Sequence, residues 1–356
     1  MKKQSEDASE ESIDQTIQDM INTIKESPQI YHPSLYWEDV ARTNLEQIKR
    51  KGFENFKRTI NQNYFNYYII SPFRTQFMKL MLRWLASTPN LNLFRSKFGS
   101  DKYLERYGKE RSFDKKSAFF YKMYVTMLWD YTKTQDREKI LSRLEEPTEG
   151  NPIIIHHNGK LISQDICNST LEYYTIMQHI PDESNHKMVV AEIGAGYGRN
   201  AYIFLNASKC KYIIFDIPPA LYVSQRYLSA VFPNRRIFKF RKFNDFSEIK
   251  KEYENSDICF FTPNQINLLP EKQFDIMLNI SSLHEMTFEQ IQNYFALIGR
   301  YCKGYFFTKQ WTYCTNVKDN LTLTYKDYPV PESWERIYFR KSPLQSRCFE
   351  AIYKIK

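Results

Sequence analysis

The chain is poor in glycine, with 10 among 356 residues, and it shows no internal repeat. Collagen-like and glycine-rich low-complexity chains are thereby excluded. No stretch of about 18 apolar residues runs without charge, so no transmembrane helix is expected. Met1 to Asp14 is polar and acidic and lacks the apolar segment of a secretory signal, which points to a cytoplasmic protein. None of the six cysteines (Cys167, Cys210, Cys259, Cys302, Cys314 and Cys348) belongs to a CxxC pair. Their spacing suits neither a zinc site nor a disulfide framework, so reduced, buried thiols are expected and no metal site is predicted.

What is present is an ordinary globular composition, 42% hydrophobic, with 26 Tyr and 26 Phe. Most of those rings are expected in a core, and some could line a pocket. The formal charge is +9. It suits an anionic partner, whether nucleic acid, lipid or a phosphorylated glycan, and a basic enzyme equally.

Residues 1–11 read as a solvated tail. Apolar residues at helical spacing follow at Ile13, Ile17, Met20, Ile21 and Ile24, and again over 35–60. Residues 72–86 and 112–132 read as further helices. Residues 12–149 are therefore expected to form a mostly helical domain. Turn residues cluster at Glu145-Glu146-Pro147 and Gly150-Asn151-Pro152, which places a boundary there. Beyond it, 153–155 reads as a short strand and 165–180 as a helix. From Lys187 strands and helices alternate. Strands are expected at 188–193, 212–217, 257–261, 274–280 and 304–308, and helices at 199–206, 219–231 and 288–301. The alternation implies an α/β fold with a mainly parallel sheet over 150–356. Residues 334–339 and 348–353 read as a terminal strand pair.

The strongest local signal is Glu192-Ile193-Gly194-Ala195-Gly196-Tyr197-Gly198, a buried strand running into a glycine turn and then a helix. A dinucleotide fingerprint, GxGxxG, would need glycine where Arg199 stands. The observed form, an acid two residues before three alternating glycines, resembles the first motif of class I S-adenosylmethionine (SAM) methyltransferases. Asp216 ends the next strand, where a carboxylate can accept both hydroxyls of a ribose; the alternative is a helix N-cap before Pro218-Pro219. Asn264 and Gln265 follow the third strand, where that superfamily contacts adenine.

The fourth strand ends in Asn279-Ile280-Ser281-Ser282-Leu283-His284-Glu285-Met286. Thr287 and Gln290 form a capping box, so His284 lies in a loop at the C-terminal edge of the sheet, where ligands bind in open α/β folds. Histidine is a natural general base near neutral pH, and a sugar hydroxyl attacks well only if its proton is removed. Glu285 could orient His284, bind the hydroxyl or be the base itself. The polar-Pro-Pro-aromatic tetrad of base-amine DNA methyltransferases is missing here. Arg235, Arg236, Lys239, Arg241 and Lys242 alternate with Phe238, Phe240 and Phe243, as in a strand with one charged face. His156-His157 reads as structural.

With these motifs, the chain resembles a bacterial family of sugar O-methyltransferases. The resemblance runs from about Ser34 to the C-terminus. It rests on Ser34-Leu35-Tyr36-Trp37, Gly150-Asn151-Pro152 with Ser163, the turn from Glu192 to Arg199, and Phe215-Asp216-Ile217-Pro218. Leu283-His284-Glu285-Met286, Lys309-Gln310-Trp311, Tyr328-Pro329-Val330-Pro331 and Trp334 complete it. It implies a Rossmann-like class I methyltransferase sheet with SAM as cofactor and a carbohydrate hydroxyl as acceptor. In that reading Glu192, Gly194, Ala195, Gly196, Tyr197, Gly198, Asp216, Ile217, Asn264, Gln265, Asn279 and Ser281 serve the cofactor. His284 and Glu285 serve catalysis, and Arg199, Lys309, Gln310 and Trp311 border the acceptor. Alternatives are a phenol or polyketide O-methyltransferase, an RNA-modifying or RNA-binding protein, and a SAM-binding scaffold without catalysis. No RNA-binding module is recognisable, so no nucleic-acid partner is expected.

Overall fold

A computed structural model describes residues 15–59, 75–87, 115–153, 155–181, 187–345 and 347–356. The expected tail 1–11 lies outside these residues. So do residues 12–14, 60, 72–74, 112–114 and 154 of the expected elements. No helix among the described residues is long and apolar enough to cross a membrane.

The described residues divide into two compact units: those of 46–181 with 342–345, and those of 15–45 with 187–341 and 347–356. This differs from a single boundary near residue 150. In the first unit, helix Thr75–Ser87 buries Phe77, Leu80 and Trp84 beside helix Lys115–Gln135. Asp130 ties Trp84 Nε1 (3.0 Å) and His157 Nε2 (3.0 Å), which gives the expected structural histidine its partner. Strands β1 (Ile155–His157) and β2 (Lys160–Ile162) form an antiparallel hairpin in place of the one strand expected. Ser163 caps helix Gln164–Met177 by accepting from Ile166 N at 3.1 Å. This hairpin and helix pack on helix Lys115–Gln135 and pair with no strand of the large sheet, so they group with the helices.

The second unit holds an eight-stranded sheet. Its strands are β3 (Met188–Ile193), β4 (Cys210–Phe215), β5 (Ile237–Phe238), β6 (Ile258–Phe261), β7 (Phe274–Ile280), β8 (Cys302–Trp311), β11 (Glu335–Lys341) and β12 (Cys348–Lys354). The order is β11-β12-β8-β7-β3-β4-β6-β5. Strands β6-β4-β3-β7-β8 are parallel neighbours in the 3-2-1-4-5 order of a doubly wound sheet. β12 runs antiparallel between β8 and β11, so the expected terminal strand pair closes that end. Every residue of β4 and β6 is buried, as a strand covered on both faces requires. The fold is thus α/β and Rossmann-like.

Three sequence expectations change. β8 reaches Trp311, so Lys309, Gln310 and Trp311 lie within a strand instead of after it. An unexpected hairpin, β9 (Tyr313–Asn316) with β10 (Leu321–Thr324), follows. The basic segment 235–243 is strand only at Ile237–Phe238. Phe238, Phe240 and Phe243 are buried, while Arg236 pairs with Asp257, Arg241 with Glu252 and Lys242 with Glu26. Those acids neutralise most of what would be a phosphate-binding face.

Residues 15–45 belong to the sheet unit for a visible reason. Gln290 Nε2 donates to His32 O (2.6 Å) and Ile30 O (3.3 Å), Asn267 Nδ2 to Tyr31 Oη (2.5 Å), and Ser34 Oγ to Glu285 O (2.8 Å). Asp319, between β9 and β10, accepts from Leu35 N (2.8 Å) and Tyr36 N (3.1 Å) at the start of helix Leu35–Lys51. Its charge lies where helix N–H groups need acceptors.

Candidate active site

The switch point of a doubly wound sheet lies where the chain reverses direction across it, here between β3 and β7. Their C-terminal ends carry the glycine turn and the His284 loop. Gly194, at φ +71°, is fixed by its neighbour as well as by its backbone: a Cβ there would stand 2.3 Å from Ser282 Oγ. Gly198, at φ +91°, opens helix Arg199–Ala207, and a Cβ would meet Leu228 Cδ1 at 2.9 Å. We expect Gly194→Ala to cost about 2–4 kcal/mol, from left-handed strain and overpacking together. Urea unfolding checks this, and Gly159→Ala is the control, since a Cβ at Gly159 meets nothing within 4 Å. Equal losses at both positions would show that the Ser282 contact is not limiting.

Asp216 does not cap the helix that follows it, whose N-cap is Pro219. Its Oδ2 accepts from Gly196 N at 2.8 Å and its Oδ1 from Ile217 N at 2.8 Å, which ties the glycine turn to the end of β4. A carboxylate offers about four acceptor positions, so two remain. Burial raises its pKa from 3.8 to about 7, against the two backbone bonds that lower it.

Glu192 is buried beneath the turn, with its carboxylate accepting from Tyr212 Oη (2.7 Å) and Asn200 Nδ2 (3.1 Å). Those two bonds brace the turn from beneath. Ala195 is buried, and Tyr197 packs edge-on against Tyr227 at 5.2 Å. Arg199 is half-buried, and its charge acts on the Tyr212 phenol next to Glu192. Gln265 is consumed by structure: its Oε1 accepts from Thr262 N (3.0 Å) and its Nε2 donates to Arg241 O (2.9 Å). Asn264 beside it is half-buried, and its Oδ1 is buried without a partner.

The other edge of the switch point is a hydrogen-bonded block. Asn279 Nδ2 donates to Ile193 O (2.9 Å) and Ser282 Oγ (2.6 Å), and its Oδ1 accepts from Leu283 N (3.2 Å). Ser281 sits at φ +57°, held by its N–H to Lys309 O at 2.8 Å. Such a non-glycine strain persists where surroundings over-determine it. Lys309 itself is buried and turned to Glu350 (3.6 Å) on β12, which also takes Arg340 at 3.0 Å. Gln310 is fully buried and reaches His284 Nδ1 through its Oε1 at 2.9 Å. Trp311 stacks on the His284 ring at 4.9 Å.

His284 and Glu285 lie together, with Nε2 to Oε1 at 3.9 Å. The separation does not make an ion pair at neutral pH. Burial lowers the His284 pKa to about 4, so the ring is neutral, and raises that of Glu285 to about 8. Glu285 is the more open of the two, with 19% of its side chain exposed against 2% for His284. Trp37 hydrogen-bonds the Glu285 side chain and favours its charged form. Trp37, Ser34 and Asp319 were not legible as site residues; the Ser34-to-Trp37 segment carried only a family signal.

No family model matches the chain, and no curated protein matches it. Among solved structures, it is similar to a SAM-dependent methyltransferase from Aquifex aeolicus, at 11% identity over 48% of this chain and 82% of that one, with a TM-score of 0.32. It is also similar to the PH0226 protein from Pyrococcus horikoshii OT3, at 12% identity over 55% and 92%, TM-score 0.37. A third is a geranyl diphosphate methyltransferase in complex with GPP and sinefungin, at 9% identity over 52% and 77%, TM-score 0.33. These likenesses are remote. By its strand order and glycine turn, the sheet unit has a Rossmann-like α/β fold.

Proposed function

We propose that the chain is a SAM-dependent O-methyltransferase whose acceptor is a sugar hydroxyl, in a surface glycan or a glycosylated metabolite. The observation that carries this reading is the His284–Glu285 pair at the sheet edge that also bears the glycine turn and Asp216. Asp216 has two acceptor positions left for the ribose hydroxyls, and the unpartnered Asn264 Oδ1 is an acceptor suited to an exocyclic amine. The residues therefore fit the cofactor. When bound, SAM supplies an electrophilic methyl group on a cationic sulfur.

The chain's own task is to hold the acceptor hydroxyl and take its proton. Glu285 suits that task better than His284. A base works best with a pKa near the working pH, and Glu285 at about 8 meets this where His284 at about 4 does not. Its side chain is also the more exposed of the two. Trp37, bonded to Glu285, and Trp311, stacked on His284, place aromatic rings beside the pair, the side-chain type that packs against a sugar ring. Lys309, committed to Glu350, is a weaker candidate for the acceptor than its sequence position implied.

The test uses methyl-labelled SAM with free, nucleotide-linked and lipid-linked sugars, and phenols beside them. Label transferred to a sugar oxygen is the expected result. Transfer only to phenols would replace the sugar by a small aromatic acceptor. Failure of the folded protein to bind SAM would remove the methyltransferase reading.

A further inference from the structure

Which ring nitrogen of a histidine carries the proton is set by the partner of the other. Here the partner can be read back to the main chain. Leu283 N can only donate and Ile193 O can only accept. They lie 3.2 Å from one end of the Asn279 amide and 2.9 Å from the other, so Oδ1 faces Leu283 and Nδ2 faces Ile193. Gln310 then meets two acceptors of Asn279, the carbonyl oxygen at 3.1 Å and Oδ1 at 2.6 Å, with Thr308 Oγ1 at 3.0 Å. The Gln310 atom facing them must be the donor, Nε2. Its Oε1 is left for His284 Nδ1 at 2.9 Å, and an oxygen there can only accept. The side chains of Asn279, Gln310 and His284 are all buried, so water does not relax this chain of choices.

We propose that Gln310 is a positioning residue that fixes His284 with its proton on Nδ1, so that Nε2 faces Glu285 as a hydrogen-bond acceptor. Trp311, stacked on the ring at 4.9 Å, holds its plane. A protonated Glu285 can turn its O–H toward Nε2, whereas an ionised Glu285 meets a lone pair. At the 3.9 Å separation no hydrogen bond joins the two, and the bare Nε2 lone pair opposes ionisation of Glu285. The tautomer rests on hydrogen bonding alone; its use in catalysis rests on the methyltransferase reading.

The test is nitrogen-15 NMR of the full chain labelled at its histidines, with His284→Gln to assign the ring. The expected wild-type spectrum at pH 7 has Nδ1 protonated and Nε2 bare. Gln310→Leu should move the ring toward the Nε2–H form that free imidazole side chains favour, and Gln310→Glu, whose buried, protonated carboxyl donates to Asn279 through its O–H while its other oxygen accepts from Nδ1, should keep the wild-type form. In turnover, Gln310→Leu should shift the acid limb of the pH profile down by about one unit, because an Nε2–H favours ionised Glu285. A wild-type ring protonated on Nε2 overturns the proposal, whether or not the variants fold. So does an unchanged tautomer in folded Gln310→Leu. SAM titration of the same samples is separate: no binding with the expected tautomer removes the function and leaves the positioning role in place.

Discussion

Asp216→Asn should weaken SAM binding by about 100-fold or more in calorimetry, with the protein still folded. Each hydrogen bond to a charged acceptor contributes roughly 1.5–3 kcal/mol, and the variant gives up the charge under two hydroxyls. The amide oxygen still accepts from Gly196 N, which limits the damage to the glycine turn. The wild type should also bind more tightly as pH rises through about 7, where Asp216 ionises, and the variant should not. Sign and window follow from burial. The folded carboxyl titrates above its ordinary 3.8, so the ligand-free protein holds an extra proton between about pH 4 and 7. Its contribution to stability is present below pH 4 and is lost as pH rises through 7. Unchanged SAM affinity in Asp216→Asn would remove Asp216 from the cofactor site.

The second large effect is on turnover. Glu285→Gln should lower kcat by about 10²–10⁴-fold, the range for a lost general base, while SAM affinity stays within about twofold. Wild-type kcat should climb with pH toward a plateau above about 8, as Glu285 loses its proton. The limb should vanish in Glu285→Gln. If the variant keeps both the limb and the rate, Glu285 is not the base. Because Glu285 also titrates above its ordinary 4.5, its burial costs stability as pH rises from about 4.5 through 8. Glu285→Gln should therefore unfold at higher urea than wild type at pH 8, with the difference closing at pH 5.

These two residues were named from sequence for local reasons. Asp216 ends an apolar run, and His284-Glu285 sits between a strand and a capping box. Gln310 was named for a different task. The sequence placed it beyond a strand end, beside an acceptor; the extension of β8 to Trp311 puts it inside the sheet, against Asn279. Lys309 shows the same effect on the opposite face of the strand. Strand period alternates the two faces, and one more pair of residues in the ladder turns Lys309 to Glu350. Gln265 was one residue from Asn264, and a capping box at Thr262 took its side chain.

By itself the sequence determined the parallel α/β order, the glycine turn and the carboxylates at strand ends. Hydrophobic period, cap residues and glycine spacing are local, and neighbouring residues express them without help. Only the tertiary structure decided that residues 15–45 join the sheet unit, that Trp37 and Ser34 hold Glu285, and that Gln310 orients His284. Ser34 and Glu285 are 251 positions apart, and His284 and Gln310 are 26 apart. Whether such groups meet depends on how the elements pack. The same packing removes water from Glu285 and His284, and that desolvation sets their proton affinities.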